Sequence, residues 1–227
     1  CYDRSDFALQ PLDSNQPPNL DEAKRFSTLG CDLNTTLSCL RLGGLHQKAD
    51  ELEQTETAFR KACTLDSKQC GQLGGFLMDF ETTHKEGFAI VTKGCEDGEA
   101  LSCTLAAIEL AEKIDPDSVD EARLKEAWRL YQRGCELGNR FACRNGAMLA
   151  NETRYLLILF APTDSPSLVQ RKLYDRGCSL DDNVSCFKAG KLLNSLALDA
   201  GACQLALDYL QRSCALDHAE GCAESGD

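Results

Sequence analysis

The chain has 227 residues, enough for one or two domains or a single repeat array. Its net charge of −12 and pI near 4.7 disfavour binding to a nucleic-acid backbone, because like charges would face each other. Its most apolar segment, YLLILFA at 155–161, is far shorter than the roughly 20 residues of a membrane-spanning helix. Composition therefore indicates a soluble globular chain that binds no nucleic acid.

In chain order, the first segment is polar. Residues 1–19 contain three prolines and little apolar periodicity, which predicts a flexible N-terminal linker. From there to the end, helical patterning alternates with pairs of cysteines. We therefore predict one folded domain over 20–227.

The cysteines dominate the composition. Fourteen are present, far above ordinary usage, and twelve of them form six local pairs: Cys31 with Cys39, Cys63 with Cys70, Cys95 with Cys103, Cys135 with Cys143, Cys178 with Cys186, and Cys214 with Cys222. Zinc sites usually combine two closer pairs, and the three histidines, His46, His84 and His218, fall at no ligand spacing. The pattern predicts six disulfides and neither a metal site nor a cofactor.

The spacing of each pair has a geometric consequence. Two residues eight apart would be about 12 Å apart in a continuous helix and about 26 Å apart in a strand. A disulfide needs Cα atoms within about 7 Å, so the chain must reverse direction between the two cysteines. Turn and cap residues such as Asn34, Gly98, Gly138 and Asp181 stand between them. Each pair therefore predicts a stapled turn.

Between the pairs the pattern is helical. In residues 99–113, for example, Leu101, Leu105, Ile108 and Ala111 form an apolar stripe at helical spacing. The predicted unit is a helix A that begins at a second cysteine, a loop, and a helix B that ends at the next first cysteine. Residues 150–166 lengthen one unit and are predicted to form an insert, either an added core element or a ridge that binds a partner.

Small and aromatic residues recur at fixed positions. Four residues after each second cysteine stands glycine or alanine: Gly43, Gly74, Ala107, Ala147, Gly190 and Gly226. Four or five residues before the first cysteine, five copies carry an aromatic: Phe26, Phe59, Tyr131, Tyr174 and Tyr209. Repeated small residues favour close helix approach, so the aromatics are predicted to pack against them.

These motifs, aromatic-x-x-[GA]-C-x-L followed by C-x3-[GA], resemble those of Sel1-like repeat proteins over roughly residues 20–226. The likeness is greatest to their cysteine-rich bacterial branch, typified by the Helicobacter cysteine-rich proteins. The resemblance implies an all-α fold, an α/α solenoid of tetratricopeptide-like helix pairs. It also implies an adaptor or scaffold that binds proteins along its concave face.

The sequence predicts no catalytic residue. One S-x-x-K occurs at Ser185–Lys188, but the further motifs of penicillin-binding enzymes are absent, so we interpret it as coincidence. The three histidines are predicted to be exposed helix or loop residues. The leading hypothesis is a non-enzymatic scaffold of the periplasm or cell surface, as a subunit of a membrane-associated complex. The alternative is a cell-wall-active or redox enzyme or assembly factor, including a relative in the mitochondrial intermembrane space.

Two cysteines lie outside the pairs. Cys203 has no local partner and is predicted to be a buried free thiol. Cys1 is the first residue of the linker and resembles the lipid-carrying first residue of mature bacterial lipoproteins, which implies a membrane anchor at Cys1.

Overall fold

The computed structural model of the protein describes residues 19–112, 120–152, 165–196 and 200–226. Within these ranges the chain forms twelve α-helices and one short 3₁₀ helix, and it forms no β-strand. The predicted all-α class is confirmed. Residues 1–18 of the predicted linker, and 153–164 of the predicted insert, lie outside the described residues.

The described chain divides into two compact units, 1–102 and 103–227. The helices of the first unit are α1 (Leu20–Asp32), α2 (Thr36–Lys48), α3 (Leu52–Leu65), α4 (Gly71–Met78), α5 (His84–Glu96) and the beginning of α6 (Ala100–Glu112), with the 3₁₀ helix Ser67–Gln69 before α4. Each of α1 to α4 packs against the next helix along the chain.

The second unit contains the remainder of α6 and six further helices. They are α7 (Glu121–Glu136), α8 (Arg140–Glu152), α9 (Pro166–Ser179), α10 (Asn183–Leu196), α11 (Ala200–Ala215) and α12 (Ala219–Ser225). From α7 onwards each helix packs against its successor, and α7 also contacts α9 while α8 contacts α10. Contacts between helices that are two apart in the chain are expected when successive helix pairs stack on one another. Even-numbered helices correspond to the predicted A helices and odd-numbered helices to the B helices.

The A helices begin earlier than predicted. In five of them the second cysteine is the fourth helical residue and not the first: Cys39, Cys103, Cys143, Cys186 and Cys222. The cap explains the difference at α8, where the Asn139 side chain accepts a hydrogen bond from the Ala142 amide at 3.1 Å, so the helix starts at Arg140. Only Cys70, whose turn from Cys63 is one residue shorter than the others, lies outside its helix, directly before Gly71.

Helix α7 illustrates why these segments are helical. Its buried residues include Leu124, Ala127, Tyr131 and Cys135, which recur every three or four positions and form one face. Asp120 caps the helix, because its side chain accepts a hydrogen bond from the backbone amide three residues on at 3.0 Å. The buried face and the cap together fix where the helix begins and which side it buries.

Helix α6 corrects one predicted face. The expected stripe, which includes Leu101, Leu105 and Ile108, is only half-buried, whereas Ala106 and Ala107 are fully buried. Small residues permit close packing of backbones, and here that requirement outweighs the larger apolar area of the leucines.

The small and aromatic positions pack together as predicted at two places. A Cβ atom at Gly43 would lie 2.4 Å from the Phe59 ring, and Tyr174 forms a buried cluster with Ala147 and Ala189. At Gly190 the contacting side chain is Leu210 and not the predicted aromatic. A small residue therefore recurs four positions after the second cysteine, whereas the side chain that packs against it is aromatic in some repeats and leucine in another.

Candidate functional site

The disulfides join the predicted partners. Five bonds have Cα–Cα distances of 4.4 to 4.6 Å: Cys31 with Cys39, Cys63 with Cys70, Cys135 with Cys143, Cys178 with Cys186, and Cys214 with Cys222. Cys95 and Cys103 are also disulfide-bonded. The prediction of stapled turns is therefore confirmed.

Most of the second cysteines are inaccessible to solvent. Four of them are fully buried, namely Cys39, Cys103, Cys143 and Cys186. Cys222, in the last turn, is half-buried. Disulfides with buried sulfurs are poor substrates for thiol exchange, because the attacking thiolate must reach the bond. These bonds are therefore suited to a structural role and not to a catalytic one.

Five of the turns share one backbone conformation. The third residue after the first cysteine has a positive φ in Asn34, Gly98, Gly138, Asp181 and Asp217. Its amide donates to the carbonyl of that cysteine, and the next amide donates to the carbonyl just before the cysteine, as in Thr35 to Gly30 at 2.9 Å. The Cys63–Cys70 turn is one residue shorter and instead keeps Asp66 extended, with its side chain capping the 3₁₀ helix.

A groove that is open to solvent lies among the described helices of each unit. In the second unit, a groove of about 380 Å³ opens between the A helices α8 and α10, with the B helix α9 beneath it. We call it the α8–α10 groove; it is lined by Met148, Asn151, Gln170, Tyr174, Lys188, Lys191 and Leu192. Tyr174 and Gln170 are buried, and the Gln170 amide nitrogen donates to the Ala147 carbonyl at 3.4 Å. The groove thus lies between two A helices of the second unit.

The outer face of α8 extends this groove. Phe141, Arg144, Met148 and Asn151 follow one another at intervals of three or four residues and so share one face of the helix. Phe141 is 42% exposed, and the guanidinium groups of Arg140 and Arg144 lie about 5 Å from its ring centre. Arg144 also pairs with the buried carboxylate of Asp182 at 3.2 Å.

The two A helices that border the groove have a charge opposite to that of the chain. Helices α8 and α10 carry four basic residues, Arg140, Arg144, Lys188 and Lys191, and one acidic residue, Glu152. The chain as a whole has 36 acidic and 24 basic residues. These two helices are therefore basic within an acidic chain, and two of their four cations, Arg144 and Lys191, are paired with the carboxylates of Asp182 and Glu224.

The first unit has a groove of about 580 Å³ among α1, α2 and α3, with mixed charge. Its lining includes Asp32, His46, Glu53 and Lys61. At its edge, Glu51 accepts hydrogen bonds from Lys24 and pairs with His46, and these contacts lower the pKa of the Glu51 carboxyl. Charges at this edge are thus neutralised within the protein itself.

All three histidines are partly buried, which corrects the expectation that they are exposed. His46 is mostly buried against Glu51. His218 caps α12 by accepting from the Gly221 amide at 3.1 Å, and its ring stacks on Phe187. His84 begins α5 and is half-buried.

The S-x-x-K segment does not form a nucleophilic site. Ser185 is fully buried, and its hydroxyl donates to the Asp182 carboxylate at 2.6 Å. Lys188 is exposed, with its ammonium 5.7 Å from the Phe187 ring centre. A serine of this kind cannot approach a substrate without opening the turn.

Cys203 is free, as predicted, but exposed, so the expectation of a buried thiol is wrong. It lies in the first turn of α11, where burial begins only at Ala206. Cys1 lies outside the described residues.

The described residues show neither a membrane-spanning helix nor a metal-binding cluster. No helix there is both long and apolar enough to cross a membrane. No cluster of three or more His, Cys, Asp or Glu side chains there could hold a metal ion.

Neither a family model nor a curated protein sequence matches the chain, but solved structures do. One is c5321, a protective antigen of uropathogenic Escherichia coli strains that displays an SLR fold. It is 13% identical and has a TM-score of 0.62, over 92% of this chain and 44% of its own. A Sel1 repeat protein from Oxalobacter formigenes is 16% identical with a TM-score of 0.62, over 88% of this chain and 81% of its own. The chain therefore has the fold of Sel1-like repeat proteins, while spanning less than half the length of c5321.

A more distant likeness is to a monomeric IFIT1 mutant with m7Gppp-AAAA, at a TM-score of 0.50 and 11% identity, over 88% of this chain and 47% of that one. This likeness, too, concerns the fold alone.

Proposed function

We propose that the chain is a non-enzymatic protein-binding scaffold and that the α8–α10 groove is its binding surface in the second unit. The observation that carries the proposal is the open lining of this groove, where Met148 is 45% exposed beside two exposed lysines. An exposed apolar side chain surrounded by polar ones is common at protein-binding surfaces. The Sel1-like repeat fold supports the proposal, since stacked helix pairs present extended surfaces for partners.

An enzyme with cell-wall or redox activity, or an assembly factor, is the alternative. The burial of Ser185 weighs against acyl transfer, whereas the exposure of Cys203 favours thiol exchange. Turnover of a disulfide substrate by the wild type, abolished in Cys203→Ser, would support the redox alternative over the scaffold.

We extend the proposal to location: the periplasmic side of a bacterial membrane or the cell surface, with the mitochondrial intermembrane space as the alternative. The support is chemical, because disulfides in such number persist in oxidising compartments. Membership of a membrane-associated complex and a lipid anchor at Cys1 belong to the same proposal. Intact-mass measurement of natively purified protein tests the anchor, and an unmodified Cys1 amine would rule it out.

A charge-reversal experiment tests the binding surface. The variant Lys188→Glu/Lys191→Glu changes two exposed groove residues, and Lys125→Glu/Lys172→Glu changes two exposed lysines on the B helices α7 and α9 by the same charge. Crosslinking to partners in native membranes, followed by mass spectrometry, should lose partners of the wild type in the groove variant and keep them in the control. Equal crosslinking by all three proteins would contradict the proposal.

A further inference from the structure

The basic side chains of the α8–α10 groove differ in how far the protein itself neutralises them. Arg144 pairs with Asp182, and Lys191 pairs with Glu224 of α12 at 2.6 Å. Lys188 has no carboxylate partner within the described part of the chain and lies over the Phe187 ring. Among the basic side chains that line the groove, Lys188 therefore keeps a positive charge that no described carboxylate neutralises.

A second cation, Arg140, lies at the first residue of α8 and contacts a backbone carbonyl in place of a carboxylate. Arg140 donates to the backbone carbonyl of Asp181 at 3.2 Å, and the Asp181 carboxylate is engaged by Arg212 at 3.0 Å. The Arg140 guanidinium also lies 5.1 Å from the Phe141 ring centre. The face thus offers cations at two places with exposed apolar side chains between them.

The groove also offers apolar side chains and a hydrogen-bond acceptor to a ligand. Met148 is exposed on the helix face that also carries Phe141, and Leu192 is half-buried on the opposite side of the groove. On the floor, Gln170 uses its amide nitrogen to hold the Ala147 carbonyl, which leaves its side-chain oxygen to accept from a ligand. A backbone N–H of an extended peptide is a fitting donor for such an oxygen.

We propose that the α8–α10 groove binds an extended acidic peptide segment of a partner protein, with its carboxylates on Lys188 and Lys191 and an apolar side chain against Met148. This inference rests on the proposed function and adds the chemistry of the partner. The groove volume of about 380 Å³ lies in the usual range of ligand pockets, about 300–1,000 Å³. A nucleic-acid strand would carry its charge beyond the groove onto a protein of net charge −12, whereas a short acidic segment keeps its charge within the basic face.

Fluorescence polarisation with labelled peptides tests the inference. A short peptide of alternating Glu and Leu should bind, and more weakly as salt rises from roughly 50 to 300 mM. The matched peptide of alternating Gln and Leu should bind at least about tenfold more weakly, because it lacks the charge. Lys188→Glu/Lys191→Glu should lower affinity for the acidic peptide by at least about tenfold, and Lys125→Glu/Lys172→Glu by less than about twofold.

A variant that binds the acidic peptide more tightly distinguishes a direct effect on binding from a loss of folding. Glu224→Gln frees Lys191 from its internal ion pair and should strengthen acidic-peptide binding by about two- to fivefold. A loss of folded structure cannot produce that result.

Three outcomes would overturn the inference: no binding of the acidic peptide, equal binding of the Glu and Gln peptides, or displacement of the acidic peptide by oligothymidylate of similar charge. If native partners are nevertheless lost from the groove variant, the scaffold proposal stands and only the acidic chemistry fails. If native partners are retained by that variant, the proposed function itself fails.

Discussion

At the scale of single residues, Glu99 has the most unusual environment among the described carboxylates of the first unit. It is 9% exposed and accepts hydrogen bonds from the Gly71 amide at 2.9 Å and from the Ser102 hydroxyl at 2.5 Å. Burial raises the pKa of Glu99 above its ordinary value of 4.5, and the two hydrogen bonds oppose that rise. A buried acid thus connects the stapled turn after α5 to the first turn of α4.

The raised pKa predicts a pH dependence of stability. The folded protein binds this proton more tightly than the unfolded chain does, so the stabilisation is fully present below pH 4.5 and is lost as pH rises through the raised pKa. Glu99→Gln resembles the protonated acid and should remove this dependence. Melting temperatures across roughly pH 4 to 8 should therefore favour Glu99→Gln over the wild type increasingly as pH rises.

Glu96→Gln is the matched control for that series, because it removes the same charge at an exposed position three residues earlier. The difference from the wild type should therefore grow more steeply with pH for Glu99→Gln than for Glu96→Gln. Parallel curves for Glu99→Gln and Glu96→Gln would show that Glu99 does not couple folding to proton binding.

Cys203 gives a second prediction at this scale. Because the thiol is exposed and unbonded, a maleimide reagent should label it rapidly in the native, unreduced protein. Peptide mapping should find the label on the α11 peptide and not on the disulfide-bonded cysteines. Labelling of Cys203 that requires denaturant would contradict the exposed position, and Cys203→Ser measured in parallel shows the background.

At the scale of elements, two stapled turns carry one glycine and one serine at the same pair of facing positions, in opposite order. The residues just before the two cysteines approach each other closely: a Cβ atom at Gly177 would lie 2.3 Å from the Ser185 hydroxyl. In the last turn the two residue types are exchanged, and Gly221 faces Ser213 with a corresponding distance of 2.6 Å. Space in the turn therefore admits one serine but not two.

This reciprocity predicts a rescue. Gly177→Ser should destabilise the second unit by about 1–3 kcal/mol through overpacking. The double variant Gly177→Ser/Ser185→Gly recreates the arrangement of the last turn and should recover about half of the loss, since the hydrogen bond from Ser185 to Asp182 is absent. Thermal melts and hydrogen exchange of α9 and α10 measure both steps. A double variant no more stable than the single one would show that the contact does not limit packing.

The turns could be predicted from the sequence to this depth because their geometry is local. The short loop between bonded cysteines and a left-handed residue such as Asn34 or Asp217 leave few conformations. The face buried by α6 and the exposure of Cys203 depend on which helices pack against them, which periodicity alone does not specify. The α8–α10 groove is of the same kind: Lys188 and Met148 lie on helices far apart in the chain, and only the stacking of helices brings them together.

At the scale of the whole molecule, the repeated staples compensate for small helix pairs. Each pair buries little apolar surface on its own, and several core positions are alanine, such as Ala62, Ala106 and Ala147. Closing a loop of about eight residues removes roughly 2.5 kcal/mol of chain entropy from the unfolded state in the simplest account. Stability is thus distributed along the chain, turn by turn.

Reduction of all the disulfides should therefore lower the melting temperature substantially. The loss of a single disulfide should destabilise mainly the helices on either side of its turn. Replacing both Cys135 and Cys143 by serine should lose about 2–3 kcal/mol and accelerate hydrogen exchange in α7 and α8, because the loss of a staple releases the turn between them. Helices α1 and α2, which belong to the first unit, should keep their exchange rates. The matched replacement of Cys31 and Cys39 should show the reverse distribution. An unchanged melt after full reduction would contradict the stapling role, and exchange that rises equally in all helices would contradict its local action.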